Sequence, residues 1–286
     1  MSGKNHAIFF AVLAAALYAL SSPASKLLLE QIPSTMLAGL LYLGAGIGMA
    51  IFGRVRRLSG KEGKEQPLGR KDLPFTVCMI LLDIAAPVLM MLGLTMTSAA
   101  NASLLNNFEI VATSLIALVI FKEKISPKLW GAILLITLSS MLLSFEDIGS
   151  LSFSAGSLLV LGACICWGFE NNCTRMLSAK DPAQIVVIKG LFSGSGALII
   201  ALLSGERCGE WLYILLALLL GFTAYGLSIY FYIYAQRYIG AAKTSAYYAV
   251  SPFIGTALSL ILFRELPSVV FLTALVIMII GAWLAA

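Results

Sequence analysis

The stretch AANASLLNNFEIVATSLIALVIFKE, Ala99 to Glu123, aligns without a gap with AAKTSAYYAVSPFIGTALSLILFRE, Ala241 to Glu265. Phe121-Lys122-Glu123 falls on Phe263-Arg264-Glu265. A second match joins YALSSPASKLLLEQIPSTML, from Tyr18, to WGFENNCTRMLSAKDPAQIV, from Trp167. It pairs Tyr18 with Trp167, Lys26 with Arg175 and Pro33 with Pro182. Self-similarity at a long, fixed offset is the mark of a duplicated structural unit. The chain therefore reads as two related halves, residues 1–145 and 153–286.

Both halves are very apolar. Of the 286 residues, 60% are hydrophobic and 12% charged, against about one quarter charged in an ordinary soluble domain. The mean hydropathy is +0.95. Apolar runs of about twenty residues match the length a helix needs to cross a hydrocarbon core of about 30 Å. Ten segments are expected, at 6–29, 34–53, 73–95, 100–121, 127–145, 153–177, 182–204, 211–235, 243–263 and 267–285. The first, preceded by Lys4, has the look of a cleaved leader, but its match in the second half makes it a retained span.

Charge orients the bundle. With the N-terminus in the cytoplasm, fifteen of the 19 basic residues lie on that side, seven of them in the 54–72 loop. Only Lys26, Arg207 and Arg264 lie outside. This follows the positive-inside bias and puts both termini in the cytoplasm. It also explains the basic loop without nucleic acid. Five helices per half is an odd number, so the second half enters the membrane from the opposite side. The expected fold is an all-α integral membrane protein, with ten transmembrane helices as two inverted five-helix repeats. Inverted repeats are a common architecture of secondary transporters, with the substrate site near the midplane.

At this point the chain resembles a known family. GLTMTSAANASLL from Gly93, FKEKIS from Phe121, WGAILLITLSSMLL from Trp130, RYIGAAKTSAYYAVSP from Arg237 and CWGFENNCTR from Cys166 are similar to the drug/metabolite transporter superfamily, in particular its ten-helix EamA-like exporters. The resemblance implies cytoplasmic termini, the inner membrane, and export of small metabolites, often amino acids or related zwitterions. The chain departs from the family pattern at Ile110, opposite Pro252, and at Leu40, opposite Lys189.

Four ionisable residues lie within segments: Asp83, Glu109, Glu170 and Lys189. A central charge costs about 2.5–3.5 kcal/mol on insertion scales, so such residues turn toward a cavity or a partner. Glu170 and Lys189 lie level on consecutive helices, which makes them an expected ion pair or gate. Asp83 and Glu109 lie deeper, with no basic residue at their depth by sequence. That pair is the candidate for proton coupling.

Helical spacing adds four stripes. These are Ala102, Asn106, Glu109 and Thr113; Thr244, Tyr248, Ser251 and Gly255; Ala163, Trp167, Glu170 and Thr174; and Ala14, Tyr18, Ser21 and Ser25. A lipid-facing stripe would be apolar, so these are expected to line one central cavity. The cavity candidates are Tyr18, Ser21, Asn106, Glu109, Trp167, Glu170, Tyr248 and Ser251. Aromatic faces with carboxylates suit a zwitterionic or cationic metabolite.

The expected protein is thus a monomeric exporter of small metabolites working by alternating access, without cofactor. A proton-coupled organic-cation or drug exporter, a metabolite importer and an intramembrane enzyme are the alternatives. No GxxxxGK[ST] loop occurs, which argues against an ATP-driven pump. The five cysteines and the lone His6 lack metal-site spacing, so no metal is expected.

Overall fold

The computed structural model describes residues 2–58, 66–122, 124–147, 152–177, 180–239, 244 and 247–285. Part of the basic loop, Glu123 and most of the stretch 240–246 lie outside these residues. The described chain is built of helices. They are α1 (Ser2–Ala19), α2 (Ser21–Leu28), α3 (Ser34–Leu58), α4 (Leu73–Met96), α5 (Ala99–Leu105), α6 (Phe108–Val119) and α7 (Pro127–Ser144). The second half adds α8 (Ala155–Met176), α9 (Pro182–Ile188), α10 (Gly194–Leu203), α11 (Trp211–Leu220), α12 (Ser228–Ile239), α13 (Ser251–Phe263) and α14 (Val269–Ala285). A short antiparallel pair, β1 (Phe145–Asp147) and β2 (Ser152–Phe153), joins the halves.

Seven stretches are long and apolar enough to cross a membrane: His6–Leu28, Ser34–Arg56, Arg70–Met96, Ala99–Val119, Pro127–Ser144, Pro182–Leu203 and Trp211–Ala235. α13 and α14 are shorter apolar helices. α8 runs for 22 residues and carries Glu170, Asn171, Asn172 and Arg175 near its end. This is a multi-pass helical membrane protein.

Local sequence sets where these helices start and break. Ser98, Ser126 and Ser154 cap α5, α7 and α8, each hydroxyl accepting a backbone N–H of the first turn. The fourth apolar segment is interrupted at Asn106 and Asn107, where the Asn107 amide donates to the Leu104 carbonyl at 3.1 Å. Asparagine competes for the backbone in this way and weakens a helix locally. In α4, Pro87 has no N–H to offer the carbonyl four residues back, that of Asp83. Two wide π-helical segments, Lys189–Ser193 and Gly221–Leu227, interrupt the helices of the second half. Such turns are often found at functional sites.

α3 runs through the middle and packs on α9, α10, α11 and both π segments. Glycines make this approach possible. A Cβ on Gly44 would sit 2.1 Å from the Leu218 carbonyl oxygen, and one on Gly190 2.3 Å from the Gly46 nitrogen. In a bilayer, small residues let helices meet backbone to backbone where no hydrophobic force drives them together. Around this centre α4 lies along α8, α1 along α12, α6 on α8, and α7 along α14. Hydroxyls tie helices together as well: Ser139 donates to the Ala274 carbonyl at 2.6 Å, and Ser228 to that of Ala14 at 2.9 Å. Large apolar side chains of α7, α11 and α14 face outward, as lipid contact requires.

Replacing Gly44 or Gly190 by leucine is expected to remove most of the folded protein, read as the monodisperse peak in detergent size-exclusion chromatography. Gly53→Ala, where nothing lies within 4 Å of a new Cβ, is expected to leave that peak unchanged.

Candidate functional site

The centre of the bundle is built on Lys189. It opens the π segment Lys189–Ser193, and this wide turn carries it between α4 and α8. Its Nζ lies 3.0 Å from Glu170 Oε2 and 3.1 Å from Asp83 Oδ2. The pairing of Glu170 with Lys189 is as the helix depths suggested. Asp83 is a correction: it is not an unpaired carboxylate but the second arm of the same ion cluster. Depth along the sequence carries no azimuth. α4 lies along α8, so Asp83 turns toward Lys189, and Glu109 on α6 meets the far side of α8. Asp83 and Glu109 therefore do not form a carboxylate pair.

Both carboxylates of the cluster are held by further bonds. The Tyr42 hydroxyl donates to Asp83 Oδ1 at 2.9 Å, and Trp167 Nε1 donates to that same hydroxyl at 3.2 Å. The Thr174 hydroxyl donates to Glu170 Oε1. Asp83 is 0% exposed and Glu170 2%, so charge here is compensated only by neighbours. Tyr42 lies on α3, Asp83 on α4, Trp167 and Glu170 on α8, and Lys189 follows α9. Four separate elements converge on this cluster.

Tyr42 also connects this cluster to an aromatic one. Its ring lies 5.5 Å from Tyr225, which is 5.8 Å from Tyr18, itself 5.8 Å from Tyr248. Tyr232 lies 4.9 Å from Tyr248. Ser21 lies close to Tyr225, and the hydroxyls of Tyr248 and Ser228 lie 3.3 Å apart. Tyr225 sits in the second π segment, facing α3. Both wide turns thus deliver a polar side chain to the centre.

Glu109 stands on the other flank. Its Oε1 accepts from Asn171 Nδ2 at 2.5 Å, and Asn171 also reaches Thr113 Oγ1 at 3.3 Å. Asn172 fastens the same contact, donating to the Thr113 and Gly168 carbonyls at 3.1 and 2.8 Å. Glu109 is half-buried and lies within electrostatic range of Tyr18, Tyr248, Glu170 and Lys189. Asn106 is buried against α8, its Oδ1 3.9 Å from Cys164 Sγ. Ser251 is fully buried, and its hydroxyl has no hydrogen-bond partner among the described residues.

The structure thus brings Tyr18, Ser21, Trp167, Glu170, Tyr248, Asp83 and Lys189 into one connected centre. It sets Glu109 and Asn106 beside that centre, against α8. Sequence reasoning missed Tyr42 and Asn171. Tyr42 left a signal, as a hydroxyl-bearing aromatic within LAGLLYLGAG, where its neighbours are small or aliphatic. Asn171 was hidden next to Glu170, on the adjacent helical face.

Comparison with known proteins agrees with this architecture. The model of the EamA-like transporter family matches residues 5–145 and again 154–286. An uncharacterized transporter of Methanothermobacter thermautotrophicus is 27% identical over 265 residues, covering 87% of this chain and 76% of that protein. The uncharacterized transporter YyaM of Bacillus subtilis is 24% identical over 216 residues, covering 68% of this chain and 67% of that one. A solved crystal structure superposes with a TM-score of 0.67 at 18% identity, over 100% of this chain and 97% of the other, and shows the fold alone.

Lys189→Met leaves two buried carboxylates without a counter-ion. It is expected to cost about 3–5 kcal/mol of stability, measured by denaturant unfolding in micelles. Adding Glu170→Gln to Lys189→Met is expected to restore part of that loss, since one buried charge is then removed.

Proposed function

The chain belongs to the EamA-like transporter family, and from that membership we propose a secondary transporter that exports small amine-bearing metabolites, amino acids or related zwitterions, by alternating access. The family and its relatives are transporters by name, and none is named as an enzyme. The observation that carries the proposal is the buried ion cluster of Lys189, Asp83 and Glu170, joined through Tyr42 to the tyrosines around Tyr18. Charged groups inside a membrane bundle are retained for ions or polar cargo. Aromatic faces beside carboxylates attract an ammonium group.

The proposal includes ten spans as two inverted repeats. Helix contacts support it. The repeat offset carries α4 on α8 into α12 on α1, and α6 on α8 into α13 on α1. It maps two contacts onto themselves: α7 with α14, and α3 with α9 and α10. Rocking of one packed group against the other about these self-mapped contacts would expose the centre to each side in turn. The basic residues favour cytoplasmic termini and an inner-membrane location.

A second reading, a proton-coupled exporter of organic cations, is favoured by one feature. Two carboxylates, Asp83 and Glu170, share the ammonium of Lys189, and a third, Glu109, stands beside the centre. Glu109 is the carboxylate outside the ion cluster and so the one available to a proton or a cationic cargo.

Flux into proteoliposomes, with a panel of amino acids and organic cations and with or without a pH gradient, tests both readings. Glu109→Gln is expected to abolish gradient-driven uptake while leaving exchange of cargo for cargo. Unchanged gradient-driven uptake would remove Glu109 from the coupling step. Failure of every amine in the panel would overturn the substrate class.

A further inference from the structure

We propose that Lys26 and Arg175 are a pair of gate latches, related by the repeat, that close opposite ends of the transport path. The inference rests on the inverted-repeat reading. Lys26 lies in the last turn of α2. Its Nζ donates to the Leu94 carbonyl oxygen and to that of Thr97, the latter at 2.8 Å. These are the last carbonyls of α4, which ends at Met96. The end of a helix leaves such carbonyls without intrahelical partners and carries a partial negative charge, so a cation there bonds and complements it.

What makes this a gate is which elements it joins. The α1–α2 arm packs with α12 and α13, whereas α4 packs with α8, and α8 with α6. Lys26 therefore bridges the two groups of helices that rocking would separate, at the membrane face opposite the termini. A link from a cation to carbonyls opens readily, because both sides regain water on that face. The deep cluster of Lys189 has no such exchange, and it joins α4 to α8 within one group.

The alignment that pairs Lys26 with Arg175 puts the second cation in the last turn of α8. The longer match carries Leu94 and Thr97 onto positions 236 and 239, in the last described turn of α12. Arg175 is thus assigned the end of α12 at the opposite, cytoplasmic face, again between the two groups. In this structure the Lys26 latch is closed. Each latch holds while its own side is shut, so neutralising one shifts the population toward opening on that side.

Ser25 is fully buried beside Lys26 and reports on opening. A Ser25→Cys reporter, in a background with the five native cysteines replaced by alanine, is labelled from outside with a membrane-impermeant thiol reagent. Lys26→Met is expected to raise the labelling rate about tenfold, the size of losing a hydrogen bond to a charged group. Lys26→Arg is expected to keep the parent rate, and Arg175→Met to lower it. Parent-rate labelling in Lys26→Met, or no decrease in Arg175→Met, overturns the pair. If Lys26→Met unfolds below the parent temperature, Lys26→Cys with Thr97→Cys serves in its place. Its oxidised form is then expected to stop flux until reductant is added, and continued flux overturns the latch. Labelling needs no cargo, so its outcome is separate from any failure to find a transported amine.

Discussion

The ammonium of Lys189 decides how the centre of this protein is put together. It answers two carboxylates, Asp83 at 3.1 Å and Glu170 at 3.0 Å, where lipid and packed helices exclude water. A lone charge at that depth would cost several kcal/mol. The three charges are therefore tolerable only together. Their residues lie on α4, on α8 and at the π turn after α9, so a condition on charge becomes a condition on how three helices meet. Tyr42 and Thr174 then take up the remaining oxygens of the two carboxylates.

Close helix approach makes this meeting possible. Gly44, Gly46 and Gly190 let α3 touch the second half backbone to backbone, and α3 brings Tyr42 to Asp83. The π turns supply a side-chain direction that a regular helix at those positions would not give. Lys189 and Tyr225 both sit in them. The first half has no π turn among its described residues, and Leu40 stands opposite Lys189. Two halves that match one family model thus differ in their chemistry at the centre: in the alignment Ser21 stands opposite Glu170, and Ser251 opposite Glu109.

Much of this was legible before any coordinates. The apolar blocks gave the membrane class, the matched stretches gave two related halves, and the stripes picked out Tyr18, Ser21, Trp167, Glu170 and Tyr248. The level depths of Glu170 and Lys189 anticipated their contact. The reading of Asp83 failed for a geometric reason. A residue's position along a helix fixes its depth, but its facing depends on which neighbour the helix packs against. Asp83 and Glu109 share a depth and yet lie on different sides of α8. Tyr42 and Asn171 were missed for the same reason, since each acquires its role only from a partner on another helix.

What the sequence determined by itself is the set of quantities carried along one dimension: apolar length, charge bias, repetition and depth. Composition and local spacing are enough for these, because a bilayer imposes its thickness on every segment alike. What only the tertiary structure decided is the pairing of the charges, with Asp83 bound to Lys189 and Glu109 held apart by Asn171. Pairing depends on helix rotation and on approaches of a few ångströms. Those are fixed by glycines and wide turns acting between segments far apart in the chain.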